Sequence, residues 1–149
     1  MSSAYLPPVC LDASFLVQMV LHGEFVDCAA ALWREWHVTN RELIAPSLIY
    51  YEINNAVYRY VKQGSLSLAD GQLVLENVFS FSITVYQDFE LPRNALKIAE
   101  RFKLPAAYDA HYLALAQRFQ ADFWTADRRL FNTVQEFLPW VHWLGNTTR

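Results

Sequence analysis

The sequence predicts a three-layer α/β/α domain on a mainly parallel five-stranded sheet. Three observations carry this. Short apolar runs of three to five residues alternate with longer segments of helical periodicity, the pattern of strands joined by crossover helices. The 149 residues are 54% hydrophobic and 15% aromatic, which suits one domain over residues 1–149 with a sizeable core. Acidic residues stand where predicted strands end or helices begin, the edge of an open α/β sheet at which ligands bind.

The first strand is Val9-Cys10-Leu11-Asp12, entered from Pro7-Pro8 and stopping at Asp12-Ala13-Ser14. An apolar helix from Phe15 to Leu21 follows and is broken by His22-Gly23. A second helix runs from Glu24 to Trp36 with Phe25, Cys28, Ala29, Leu32 and Trp36 on one side. Beyond the polar link 37–41, Leu43-Ile44-Ala45 forms the second strand, closed by Pro46, and Ser47 offers a helix cap. The third helix, Leu48–Gln63, ends at Gly64 and has Ile49, Ile53, Ala56, Val57 and Tyr60 as its apolar face. Ser67 caps a fourth helix, Leu68–Phe79, with Leu73, Val74, Asn77 and Val78 inward or nearly so. Ser82–Tyr86 alternates weakly as a third strand. The fifth helix, Pro92–Phe102, packs through Ala95, Leu96, Ile98, Ala99 and Phe102. Pro105 leads into a helix with Asp109 in its first turn and Leu113, Leu115, Ala116 and Phe119 on its apolar side. The fourth strand, Asp122–Thr125, leads to Asp127. Leu130, Phe131, Phe137 and Leu138 cover the sheet, Trp140–Leu144 is the last strand, and residues 145–149 are a tail.

Composition narrows the function. Net charge is −3, so nothing draws nucleic acid globally, and such a role must rest on local basic groups and bound cations. No apolar run approaches the ~18 residues of a membrane span, and M-S-S-A-Y-L-P-P lacks the basic start and apolar core of a signal peptide; a cytoplasmic protein is expected. Cys10 and Cys28 have no metal-ligand spacing and read as small buried hydrophobes. The tryptophans read as core or interface, and Tyr50, Tyr51 and Tyr58 as candidate dimer contacts. Arg93, Lys97 and Arg101, with Lys103 close by, form a basic stripe that reads first as a solvated face and second as a contact for nucleic acid or an acidic partner.

Four acids share a common kind of place. Asp12 ends strand one, Asp127 ends strand four, Asp109 opens a helix and Glu52 sits early in another. Right-handed crossovers bring strand ends and helix starts to one edge of the sheet. Each acid alone has a plain structural reading: Asp12 or Ser14 as a helix cap, Glu52 as a partner of Arg59 or of a hydroxyl. Asn55 faces solvent, orients Glu52 or contacts a ligand, and His111 reads as structural or solvent-facing. Together, four carboxylates would repel unless protonated or bridged by a cation, and oxygen ligands suit Mg²⁺ or Mn²⁺. Arg128 and Arg129, next to Asp127, either meet backbone phosphates or are exposed helix-start arginines.

L-D-A-S at 11–14, the helix Glu52, Y-D-A-H-Y-L-A-L-A at 108–116 and T-A-D at 125–127, with Asn132 beyond, resemble the PIN-domain family of metal-dependent ribonucleases. The resemblance covers nearly the whole chain in element order, and the small size is similar to that of VapC-like toxins of bacterial toxin–antitoxin modules. It implies a Rossmann-like sheet in the order 3-2-1-4-5, with Asp12 and Asp127 ending adjacent strands at the topological switch point. It implies Asp12 and Asp109 as direct ligands of Mg²⁺ or Mn²⁺, with Glu52 and Asp127 completing the group, one or both through water. Ser14 and Thr125 match small hydroxyl positions that would hold a carboxylate or a coordinated water, with Asn132 in support. The implied activity is hydrolysis of RNA phosphodiesters by a homodimer whose antitoxin occludes the site with its C-terminal segment.

Other readings compete. A haloacid-dehalogenase-type phosphatase needs a second Asp two residues after the first, where Ser14 stands. A phosphate-binding nucleotide fold needs a Gly-rich loop, and four scattered glycines build none. A PIN-fold binding or regulatory module would keep the architecture without useful catalysis. An RNA-processing PIN nuclease would keep the chemistry without an antitoxin.

Overall fold

The computed structural model describes residues 5–146. In chain order it comprises β1 (Val9–Leu11), α1 (Ala13–Val20), α2 (Val26–Val38), β2 (Leu43–Pro46), α3 (Leu48–Lys62), α4 (Leu68–Phe79) and β3 (Thr84–Tyr86). Then come α5 (Glu90–Phe102), α6 (Tyr108–Phe119), β4 (Asp122–Thr125), α7 (Arg128–Val134) and β5 (Val141–Trp143), closed by a short 3₁₀ turn, Leu144–Asn146. The strands lie in the order β3-β2-β1-β4-β5, as the resemblance implied. Every pairing is parallel rather than mainly so, with Val9 opposite both Leu43 and Asp122.

β1 sits at the centre, and Val9, Cys10 and Leu11 are fully buried. A strand covered on both faces needs a continuous apolar run, which is what the sequence supplies there. α6 lies across β1, β2 and β4, pairs with α5, and buries Tyr112 through Ala116 without a break. α1, α2, α3 and α4 pack among themselves on the other face, as right-handed crossovers require. Order reverses between β1 and β4, so a crevice opens beyond the carboxyl ends of those two strands.

Several boundaries differ from expectation. α1 begins at Ala13, not Phe15, because Asp12 takes the cap position in an extended conformation and accepts from the Phe15 N–H. α2 starts at Val26 rather than Glu24. Ser47 makes no side-chain capping bond; it is already helical, and its N–H joins the ladder to the Tyr86 carbonyl. α5 starts at Glu90, two residues before Pro92, because the Asp88 carboxylate accepts from the Leu91 N–H. β3 is shorter than Ser82–Tyr86, and Leu144 leaves β5 for the 3₁₀ turn. Of the expected tail, residues 147–149 lie outside the described residues, as does the 1–4 part of the N-terminal octapeptide. Leu73, Leu96 and Phe137, expected inward, are exposed. Gly64 does end the α3 turn, with a positive φ of 82° that favours glycine. Cys10 is buried, Cys28 half-buried, and both are free thiols. Among the described residues no helix is long and apolar enough to cross a membrane.

Candidate metal centre at the sheet edge

Asp12 directly follows β1 and Asp127 stands two positions past the end of β4, so the two neighbouring strands deliver both carboxylates to the same edge. α3 brings Glu52 in its second turn, and α6 brings Asp109 in its first. All four line one open cavity of about 340 Å³, together with Ser14.

Asp12 is held from three directions. Its Oδ1 accepts from the Ser14 hydroxyl at 2.6 Å and the Phe15 N–H at 3.0 Å, and its Oδ2 accepts from Thr125 at 2.6 Å. The two hydroxyls are themselves pinned: the Ala126 N–H donates to Ser14 Oγ at 2.9 Å, and the Asp127 N–H to Thr125 Oγ1 at 3.0 Å. Thr125 is fully buried beneath the carboxylate it holds. Ser14 and Thr125 thus hold a carboxylate, the first of the two roles considered for them. Asp127 is the N-cap of α7, with Oδ1 accepting from the Leu130 N–H at 3.1 Å. Glu52 finds a hydroxyl rather than Arg59: Tyr112 donates to its Oε1 at 2.6 Å.

Charge in this cavity is poorly compensated by the protein. Burial pushes the Asp12 carboxyl up to about 7, against the pull of the Ser14, Thr125 and Phe15 hydrogen bonds, and the Asp109 charge adds to the rise. Asp109 is pushed up to about 6 by burial and by the charges of Asp127 and Glu52. Burial also raises Glu52, although the Tyr112 hydrogen bond resists. Such a site favours protonation or a bound cation. The donors fit a hard divalent ion: four carboxylates, with no thiol or imidazole among the lining residues. Among the described residues no three acids stand close enough to form a finished ligand set.

Other expected residues lie elsewhere. Asn132 is exposed on α7 and does not line the cavity. Arg128 is exposed with its guanidinium 5.4 Å from the Trp143 ring centre, and Arg129 is exposed beside it. His111 is occupied structurally, its Nδ1–H donating to the Ala107 carbonyl at 2.7 Å. The basic stripe on α5 is exposed and contributes nothing to the cavity lining. Sequence reasoning missed Tyr112 as a site residue; its signal was a phenol within an apolar helical run, where a buried hydroxyl needs a partner. It also missed Gln18, which lines the cavity and accepts from the Phe25 N–H at 2.7 Å.

An all-parallel 3-2-1-4-5 sheet with an acidic crevice at the β1–β4 switch point defines a class. The profile described as PIN domain matches residues 9–136, and the chain belongs to the PIN-domain family. Among its relatives, Ribonuclease VapC9 of Mycobacterium tuberculosis is 32% identical over 105 residues, covering 66% of this chain and 80% of the relative. The crystal structure of PAE2754 from Pyrobaculum aerophilum superposes with a TM-score of 0.65 at 25% identity, covering 88% of this chain and 87% of that one. A chain of a toxin–antitoxin complex from Klebsiella pneumoniae shares the fold, with a TM-score of 0.62 at 14% identity and coverage of 91% and 97%.

Proposed function

We propose that this chain is a metal-dependent endoribonuclease, the toxin of a type II toxin–antitoxin pair, built as one PIN domain over residues 1–149. The observation that carries the reading is the meeting of Asp12, Glu52, Asp109 and Asp127, from four separate parts of the chain, in one cavity. The relative named Ribonuclease VapC9 supports the chemistry. Asp12 and Asp109 would hold Mg²⁺ or Mn²⁺, with Glu52 and Asp127 completing the acidic group. When bound, the ion would offset the site's negative charge, polarise a phosphate oxygen and lower the pKa of a nearby water.

The chain's own residues divide the remaining tasks. Asp12 is a rigid donor because both of its oxygens are anchored. Asp127 commits Oδ1 to the Leu130 N–H, which leaves Oδ2 to orient the attacking water or take its proton. Glu52 commits Oε1 to Tyr112 and keeps Oε2 for the same task. Arg128 and Arg129 lie just past Asp127, where an RNA backbone could meet them. Exposed Tyr51 and Tyr58 on α3 supply apolar surface for a homodimer. In the cytoplasm, the C-terminal segment of a protein antitoxin would cover the cavity.

The test is cleavage of a mixed RNA pool with Mg²⁺ or Mn²⁺, with EDTA, and with Asp12→Asn. Metal-dependent cutting, abolished by EDTA and by the substitution, is expected. Cutting that survives Asp12→Asn would place the chemistry elsewhere. A folded, antitoxin-free protein that neither cuts RNA nor binds either ion would be an interaction module on the same fold.

A further inference from the structure

Arg59 is the one cation among the residues lining the acid cavity. It lies on α3 seven residues after Glu52, and Glu52, Asn55, Ala56 and Arg59 all contribute to that lining. The spacings of three, four and seven residues place them along one helix face. Seven residues at 1.5 Å each separate Glu52 from Arg59 by about 10 Å along the axis. Glu52 is half-buried at one end of this stripe and Arg59 is exposed at the other. The stripe therefore runs from the floor of the cavity to its mouth.

The Arg59 side chain has no partner among the described residues. Arg41 and Arg118 are tied to Asp122 and Asp88, and Arg101 and Arg128 lie over aromatic rings. Glu52 could have paired with Arg59 and instead accepts from Tyr112. An unpaired guanidinium lining the same cavity as four carboxylates is poised for an anion that those carboxylates do not supply. Its fork of donors matches phosphate oxygens.

We infer that Arg59 is a substrate-positioning residue that clamps the RNA backbone at a phosphate flanking the scissile one, with Asn55 between it and the acids. This rests on the ribonuclease reading. A clamp on a phosphate that does not react contributes to substrate capture and orientation, and its loss appears mainly in KM.

The experiment compares wild type, Arg59→Gln and Arg59→Lys on a single-stranded RNA in Mn²⁺, across a salt series. The expected result for Arg59→Gln is a KM raised about tenfold with kcat changed far less, the loss of one charge-assisted contact. The slope of log(kcat/KM) against log[salt] should shrink by about 1. Arg59→Lys keeps the charge without the fork and should restore the slope and part of the KM. A cutting-independent readout is fluorescence anisotropy of the same labelled RNA in the Asp12→Asn background, where Arg59→Gln should remove the same increment of salt slope. Circular dichroism establishes that the exposed substitutions leave the fold intact. KM and slope unchanged in Arg59→Gln would overturn the clamp while wild-type cutting keeps the nuclease. A kcat loss at constant KM would also overturn it and place Arg59 at the reacting phosphate. Wild type that neither cuts nor binds RNA would remove the ribonuclease reading and the clamp with it.

Discussion

Asp12 caps α1 and lines the acid cavity with the same carboxylate. The two roles pull on its proton in opposite directions. The hydrogen bonds of the cap favour the charged form, and burial favours the neutral one and wins. A carboxyl raised from 3.8 to about 7 binds a proton in the folded chain that the unfolded chain releases. Its contribution is fully present below about pH 4 and is lost as pH rises through about 7, a difference on the order of 4 kcal/mol. Metal-free protein should therefore lose stability from pH 5 to pH 8. Asp12→Asn, with nothing to titrate, should lose less, and Mn²⁺ added at pH 8 should restore wild type only. Thermal melting of both proteins with and without the ion checks this. Comparison with the variant is needed because Asp109, pushed up to about 6, slopes the same way over part of that range. Tyr112 calls for a separate test. Tyr112→Phe removes the hydrogen bond to Glu52 without emptying the core, so kcat should fall about tenfold at nearly constant KM. An unchanged kcat would make the phenol purely structural.

At the scale of elements, the acids occupy the carboxyl edge of the sheet and a separate polar clip holds its amino edge. Arg41, just before β2, donates twice to the Pro7 carbonyl, at 2.9 and 2.7 Å, and once to Asp122 at 3.0 Å. His142 on β5 meets the other Asp122 oxygen at 3.0 Å. One cluster thus ties the entry to β1, the entry to β2, the start of β4 and a residue of β5. Arg41→Ala should cost about 1–3 kcal/mol in urea unfolding and leave cleavage unchanged in the folded protein. Lost activity at full stability would contradict this separation of edges. The order of elements was legible because each buried strand is a short apolar run between helical periods. Their ends were less so. α5 and α6 finish at Lys103 and Gln120 in left-handed conformations, where a sequence reader looks for glycine. Ser47 looked like a cap, and the ladder took its N–H. The four acids could be found because strand ends and helix starts are predictable places. Their partners were harder to find, since the Tyr112–Glu52 bond joins residues 60 apart and is set by tertiary packing alone. Leu73 and Leu96 went wrong because a helix face read by periodicity does not reveal how wide a stripe its neighbours cover.

For the whole molecule, the exposed Tyr51 and Tyr58 of α3 put the proposed homodimer to a direct test. Light scattering should give the mass of a dimer, and Tyr51→Glu with Tyr58→Glu should give that of a monomer; a monomeric wild type would exclude the pairing. The architecture also bears on how the molecule comes into being. Strand β1 is made well before one of its two partners, β4, which lies 113 positions later in the register Val9–Asp122. The Asp12–Thr125 bond closes that same span. A ribosome must therefore make the whole stretch between them before Thr125 and Asp127 can reach the Asp12 carboxylate. A nascent chain that has not yet reached β4 carries no assembled acid site. For the toxin proposed above, an inhibitor that covers the cavity therefore has no complete site to bind until β4 has been made.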